Sequence, residues 1–363
     1  MYRSELLAQT TVFRSGTEGY ASFRIPAILQ APNGNLLAFC EGRVKHAGDF
    51  GNIDLVFKRS TDQGKTWSSL QVLVDAGSLQ AGNPAPVVDK LDPRFPKGRI
   101  FLFYNTGNNH EGEVRKGKGQ RQVWYIVSTD NGSNWSAPVN ITTQVHRTQQ
   151  PADWRSYANT PGHALQLSKG KFKGRIYVAA NHSAGDPKPR FEDYQAHGFF
   201  TDDHGEHFQL SESVHLLGSN ESTAAELSDD RLMLNSRNQK GDVRTRIVSI
   251  SRDGGSRWDS IYFDKQLPDP VCEGSLLNIG WKKGKAVLAF CNPASTNKRD
   301  SLTLRISYNE GHTWDRSILV DPTPGSGDNQ AYCDLVYMKK KTIGILYERN
   351  GYNEIVFHHR KIR

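Results

Sequence analysis

The chain has 363 residues, with 46 Lys and Arg against 38 Asp and Glu, for a formal charge of +8. Its 3 Met, 33 Gly and high aromatic content, with no long Leu/Ala/Glu/Lys stretch, exclude a helical protein and point to strands. Basic residues are scattered apart from "VRKGKGQR" and the C-terminal "HHRKIR", no nucleic-acid-binding motif accompanies them, and no apolar run reaches membrane-spanning length; an acidic small substrate fits the charge best.

The first predicted strand is "LLAQTTVF", and "ASFRIPAIL" follows it. Arg24 interrupts the apolar run of this second strand. A guanidinium cannot lose its proton, so Arg24 either points to solvent or is aimed at an anion. Next comes "CEGRVKHAGDFGNIDLVFKRS", with Glu41, Arg43, Asp49 and Asp54. Asp49 lies in a Gly-flanked loop that can reach over a pocket, whereas Asp54 alternates with Leu55 and Val56 and reads as structural.

A repeat then dominates the chain. "STDQGKTW", "STDNGSNW", "SRDGGSRW" and "SYNEGHTW" share the pattern Ser/Thr-x-Asp-x-Gly-x-x-Trp, and "TDDHGEHF" is a decayed copy. An alternating strand precedes each box. The Asp accepts backbone N–H groups in a tight turn and the aromatic returns to the core, so the boxes read as structural. The oxygen-ligand spacing of a calcium loop is absent. One such hairpin per unit suits blades of about four strands closing into a propeller. The last strand, "NEIVFHHRKI", is expected to join the first in one sheet, making residues 1–363 a single domain.

Further polar residues break apolar strands. Arg246 lies in "VRTRIVSIS" and Arg299 in "NKRDSLTLRIS"; with Arg24 they could bind one carboxylate through several charge-assisted bonds. Glu226 sits in the apolar run of "STAAELSDDRLML", where a buried carboxylate needs a partner. Tyr332 follows a Gly/Ser-rich loop, and Glu348 ends the strand "IGILYERN". Cys40, Cys272, Cys291 and Cys333 lie in apolar contexts and read as buried thiols, with a disulfide as the alternative; no CxxC pair suggests zinc.

Taken in order, "FRIPAI", "EGR" before "GDFGNIDLVFKRSTDQGKTW", "AELSDDRLMLNSR", "RDSLTLRISYNEGHTW", "AYCDLVY" and "LYER" resemble the bacterial-type exo-α-sialidases, over essentially the whole chain. The resemblance implies an all-β, six-bladed β-propeller with four-stranded antiparallel blades. It implies that Arg24, Arg246 and Arg299 bind the substrate carboxylate, with Arg244 as an alternative to Arg246 of the same strand parity. Asp49 would be the acid/base, Tyr332 the nucleophile and Glu226 the base that serves it. Glu348 would steady Arg24, and Arg43 would lie near the sugar's O4. No cofactor or metal is expected. The expected partners are sialylated glycans, and the expected setting is secreted or periplasmic with an export signal missing from this sequence, a cytoplasmic one staying open. The alternatives are a trans-sialidase or anhydro-forming sialidase, and a non-catalytic glycan-binding propeller. Two departures from the family pattern are Cys333 after the Tyr and Asn309 in the last box.

Overall fold

Alternating apolar runs and tight Gly turns become antiparallel sheets in the computed structural model, which describes residues 9–322 and 327–362. The strand Thr10–Arg14 is the outer edge of a sheet whose other members, Glu354–Lys361, Thr342–Arg349 and Gln330–Met338, come from the end of the chain. The two ends therefore close the ring as expected; Leu6–Ala8 of the predicted first strand lies outside the described residues.

The sheets surround a common axis. The inner strand Ser22–Gln30 packs between Gln330–Met338 and Gln80–Asp89, and Ser219–Glu226 packs beside Ser275–Lys282 on the other side. The architecture is an all-β propeller, but the expectation of six separate four-stranded antiparallel blades is corrected. Four sheets stand as separate blades, one of them five-stranded, and the rest is one continuous eight-stranded sheet. The cause is a parallel bridge in which Ile53 pairs with Gln80, with the Ile53 N–H bonded to the Leu79 carbonyl at 3.1 Å. That contact joins the strand Ile53–Ser60 to the inner strand that follows it.

The boxes form the turns that their pattern predicts. In the first, Ser60 Oγ donates to Asp62 and accepts the Gly64 N–H, while Asp62 Oδ1 accepts the Lys65 and Thr66 N–H groups. Gly64 sits at φ +85°, and a Cβ there would come within 2.1 Å of Phe357, so this turn closes only with glycine. Trp67 then packs edge-on against Phe357, and Trp135 of the next box packs against Phe39 and Phe57. In the last box Asn309 Oδ1 accepts the Thr313 N–H as an Asp would, so the departure preserves the turn.

These turns carry a pH dependence. The Thr66 side-chain hydrogen bond leads in holding Asp62 at about 2, and the Asn134 N–H leads in holding Asp130 at about 2. Both folded values lie below the ordinary one, so the stabilisation is complete above about pH 4 and is lost as pH falls toward 2. Asp130→Asn keeps the turn geometry but not the charge. Its melting temperature should lie below wild type at pH 7, and the gap should close by pH 2; an unchanged gap in calorimetry would contradict the assignment.

Candidate active site

The inner strands carry bulges near one end, and a bulge breaks the two-residue alternation and re-aims a side chain. Register slips between Arg24 and Ala27, between Gly82 and Ala85, between Ser219 and Ser222, and between Gln330 and Cys333. In the first slip Ile25 adopts φ 63°, and Pro26 has no N–H to lose. The bulges bring Arg24, Asn83, Glu221 and Tyr332 onto one cavity of about 290 Å³, which Arg43, Asp49, Arg237 and Arg299 also line.

Glu348 lies fully buried behind Arg24. Its carboxylate accepts from Arg24 Nε at 2.6 Å and from the backbone N–H groups of Ile25 and Tyr332. One carboxylate thus fixes both the FRIP bulge and the tyrosine strand. The Arg24 guanidinium also lies over the rings of Tyr352 and Tyr332, at 4.2 and 5.6 Å. Arg299 Nη1 donates to the Tyr352 hydroxyl, Arg299 Nη2 donates to the Val271 carbonyl, and its guanidinium lies over the Tyr332 ring.

The Tyr332 hydroxyl donates to Glu221 at 2.6 and 2.8 Å from its two oxygens, and accepts from Arg237 Nη1 at 2.9 Å. Arg237 Nη1 is also 2.7 Å from Glu221. Burial, reinforced by the Glu221 charge, pushes the phenol well above its usual pKa, so Tyr332 is a neutral phenol at neutral pH. Across the cavity, Arg43 bridges Glu41 and Asp49 at 2.7 and 2.8 Å. The Asp49 side chain is largely exposed; partial desolvation by the surrounding protein acts to raise its pKa, but Arg43 outweighs this and the net shift is downward.

The structure therefore brings together Arg24, Arg43, Asp49, Arg299, Tyr332 and Glu348, and places two expected site residues elsewhere. Glu226 is not beside Tyr332. It lies at the opposite end of its strand, where it accepts from the Ser168 N–H, Ser168 Oγ and the Lys169 N–H and lines a separate cavity. Glu221, five residues earlier and inside the bulge, occupies the position beside the tyrosine. Arg246 is fully buried and donates to Asn235, Asp269 and the Cys272 carbonyl, so its role is to hold the loop beneath Tyr332. Arg244, the alternative, is exposed. Arg237 faces the cavity instead, from the strand Leu232–Asn238.

Below the cavity, Asp334 accepts from the Ile28 N–H, the His163 N–H and Ser275 Oγ, and lies 2.6 Å from His163 Nδ1. This buried cluster ties four segments together under the site. All four cysteines are buried and free. Among the described residues, one grouping of converging potential metal ligands occurs, Asp89, Asp92 and His204. Arg94 and Arg99 already contact Asp92, and the cavity described above does not include the group.

Residues 30–346 match the model of the BNR repeat-like domain. A sialidase from Micromonospora viridifaciens is 32% identical over 353 residues, covering 92% of this chain and 51% of that protein. An exo-alpha-sialidase from Arthroderma benhamiae is 29% identical, covering 98% of this chain and 84% of that protein. The chain thus spans about half the length of the Micromonospora relative. Among solved structures, the Hadza microbial sialidase Hz136 superposes with a TM-score of 0.81 at 26% identity, over 98% of this chain and 68% of that one. The intramolecular trans-sialidase from Ruminococcus gnavus shares the fold, with a TM-score of 0.77 at 18% identity over 97% of both chains. With the family match spanning most of its length, the chain belongs to the BNR repeat-like domain family.

Proposed function

We propose that this protein is a glycoside hydrolase, an exo-α-sialidase that releases terminal α-linked sialic acid from glycoconjugates with retention of configuration. The observation that carries the reading is the Tyr332 hydroxyl held between Glu221 and Arg237, in a cavity walled by Arg24 and Arg299.

The anomeric carbon of a sialoside bears a carboxylate, for which Arg24, Arg237 and Arg299 supply three guanidiniums. An attacking Asp or Glu would meet that charge at a cost of about 4 kcal/mol for roughly 4 Å and an effective dielectric near 20. A neutral tyrosine avoids it, which is why sialidases depart from the two-carboxylate rule of glycosidases. In the first step the Tyr332 oxygen attacks C2, its proton passes to Glu221, and the C2–O bond to the aglycone breaks as protonated Asp49 gives that oxygen a proton. In the second step a water oxygen attacks C2, its proton goes to Asp49, and Tyr332 leaves and recovers its proton from Glu221. Arg43 holds the Asp49 carboxyl below its ordinary pKa, so Asp49 must take up its proton as substrate covers it. Glu348 offsets repulsion between Arg24 and the other guanidiniums.

Among the described residues no helix is long and apolar enough to cross a membrane. We propose sialylated glycans as its substrates. The test is hydrolysis of 4-methylumbelliferyl N-acetylneuraminic acid, followed by NMR. The α-anomer of free sialic acid should appear first, and EDTA should leave the rate unchanged. The β-anomer first, or an anhydro product, would overturn the proposed outcome.

A further inference from the structure

Arg121 begins the strand Arg121–Ser128, lines the cavity, and is 7% exposed. Each other arginine of the cavity has a carboxylate or at least two polar partners. Arg121 has one side-chain hydrogen bond, from Nη1 to Gln80 Oε1 at 2.7 Å, and among the described residues no carboxylate comes within 4.0 Å of it. The nearby acids are engaged elsewhere: Glu41 and Asp49 by Arg43, and Glu111 by the Tyr194 hydroxyl. Burial correspondingly pulls the Arg121 pKa below its usual value.

The fold makes room for this guanidinium. Arg121 lies directly across the ladder from Gly107, and a Cβ at Gly107 would fall 1.6 Å from Nη1. A buried cation with one neutral partner leaves donors facing the cavity, where a ligand oxygen can satisfy them. Its wall is that of the strands Gln80–Asp89 and Arg99–Gly107. Tyr332 and Arg237 stand on strands of two other sheets, Arg299 on the loop before the strand Leu302–Ser307, and Arg24 on the first inner strand of the same eight-stranded sheet. In a nonulosonic acid ring, C5 lies across from the carboxylate-bearing C2.

We propose that Arg121 is a substrate-binding and specificity-determining residue that donates hydrogen bonds to an oxygen on the C5 substituent, accepting a hydroxyl or an acyl carbonyl and rejecting a protonated amine. The inference rests on the sialidase reading above. A neutral oxygen acceptor completes the guanidinium's bonds, while an ammonium group brings like charges together in a site shielded from water.

The test compares 4-methylumbelliferyl glycosides bearing 5-acetamido, 5-hydroxy and 5-amino groups. Wild type should cleave at least one of the first two, and the 5-amino substrate at least about tenfold less efficiently. Arg121→Gln should lower kcat/KM on the preferred substrate by about 10- to 100-fold and narrow the gap to the 5-amino substrate by at least about tenfold. Arg121→Lys should keep the discrimination against the amine without the full rate. Equal fractional losses on all three substrates, or no loss, would mean a structural role and overturn the proposal. If wild type cleaves none, the glycosidase reading fails, and the melting shift with free N-acetylneuraminic acid decides on Arg121. A shift lost in Arg121→Gln supports it; an equal shift in both proteins, or none in wild type, overturns it.

Discussion

Tyr332→Phe should lose at least about a thousandfold in kcat while melting near wild type. The substitution removes one oxygen and keeps the ring, which packs with Ile25, Cys272 and Ala331. Glu221 and Arg237 remain paired at 2.7 Å without it, so neither charge is stranded. The Tyr332 backbone N–H still binds Glu348, so the Arg24 bulge should persist. A rim tyrosine would predict a small loss at most. Steady-state kinetics beside a melting curve separates the two readings: a Phe variant with a tenth of wild-type kcat or more would remove Tyr332 from the chemistry.

The second large effect contrasts two acids five residues apart. Glu221→Gln should lose about 10²- to 10⁴-fold in kcat, because the amide cannot take the phenolic proton as attack proceeds. Glu226→Gln should keep kcat near wild type. Its effect should fall on stability, at about 2 kcal/mol, since the carboxylate accepts two backbone N–H groups and the Ser168 hydroxyl. Denaturation and kinetics on both variants test this directly, and the reverse pattern would restore Glu226 to the site.

The pair also shows where sequence reading stops. Arg24 was legible because a guanidinium inside "FRIPAI" breaks an apolar strand without reason unless an anion is near. Asp49 was legible from its Gly-flanked loop, and the boxes from their repetition. Glu221 was not: in "SNESTAAE" it is surrounded by polar residues and looks like a turn. Its aim depends on the slip between Ser219 and Ser222, and the carboxylate that stands out in the sequence is instead Glu226, inside an apolar run. Arg246 misled for a related reason. An arginine in an apolar strand can face a ligand or a buried partner, and Asp269 is 23 residues away in sequence. Arg237 stood within "LMLNSR", a segment that carries the resemblance, but without a local feature to mark it. The joining of two strand groups through Ile53 and Gln80 is a single tertiary contact with no sequence signature.

The central claim is that Tyr332 forms a covalent bond to the sugar. A 3-fluoro sialosyl fluoride slows breakdown of such an intermediate, so treated enzyme should gain one sialosyl group, recovered by mass spectrometry on Tyr332 within "AYCDLVY". Cys333 is adjacent, but it is fully buried and its thiol donates to the Cys291 carbonyl at 3.2 Å, so it should remain unlabelled. Label on Tyr332, absent from Tyr332→Phe, is the predicted result; label on Cys333, or inactivation with no adduct at Tyr332, would contradict it.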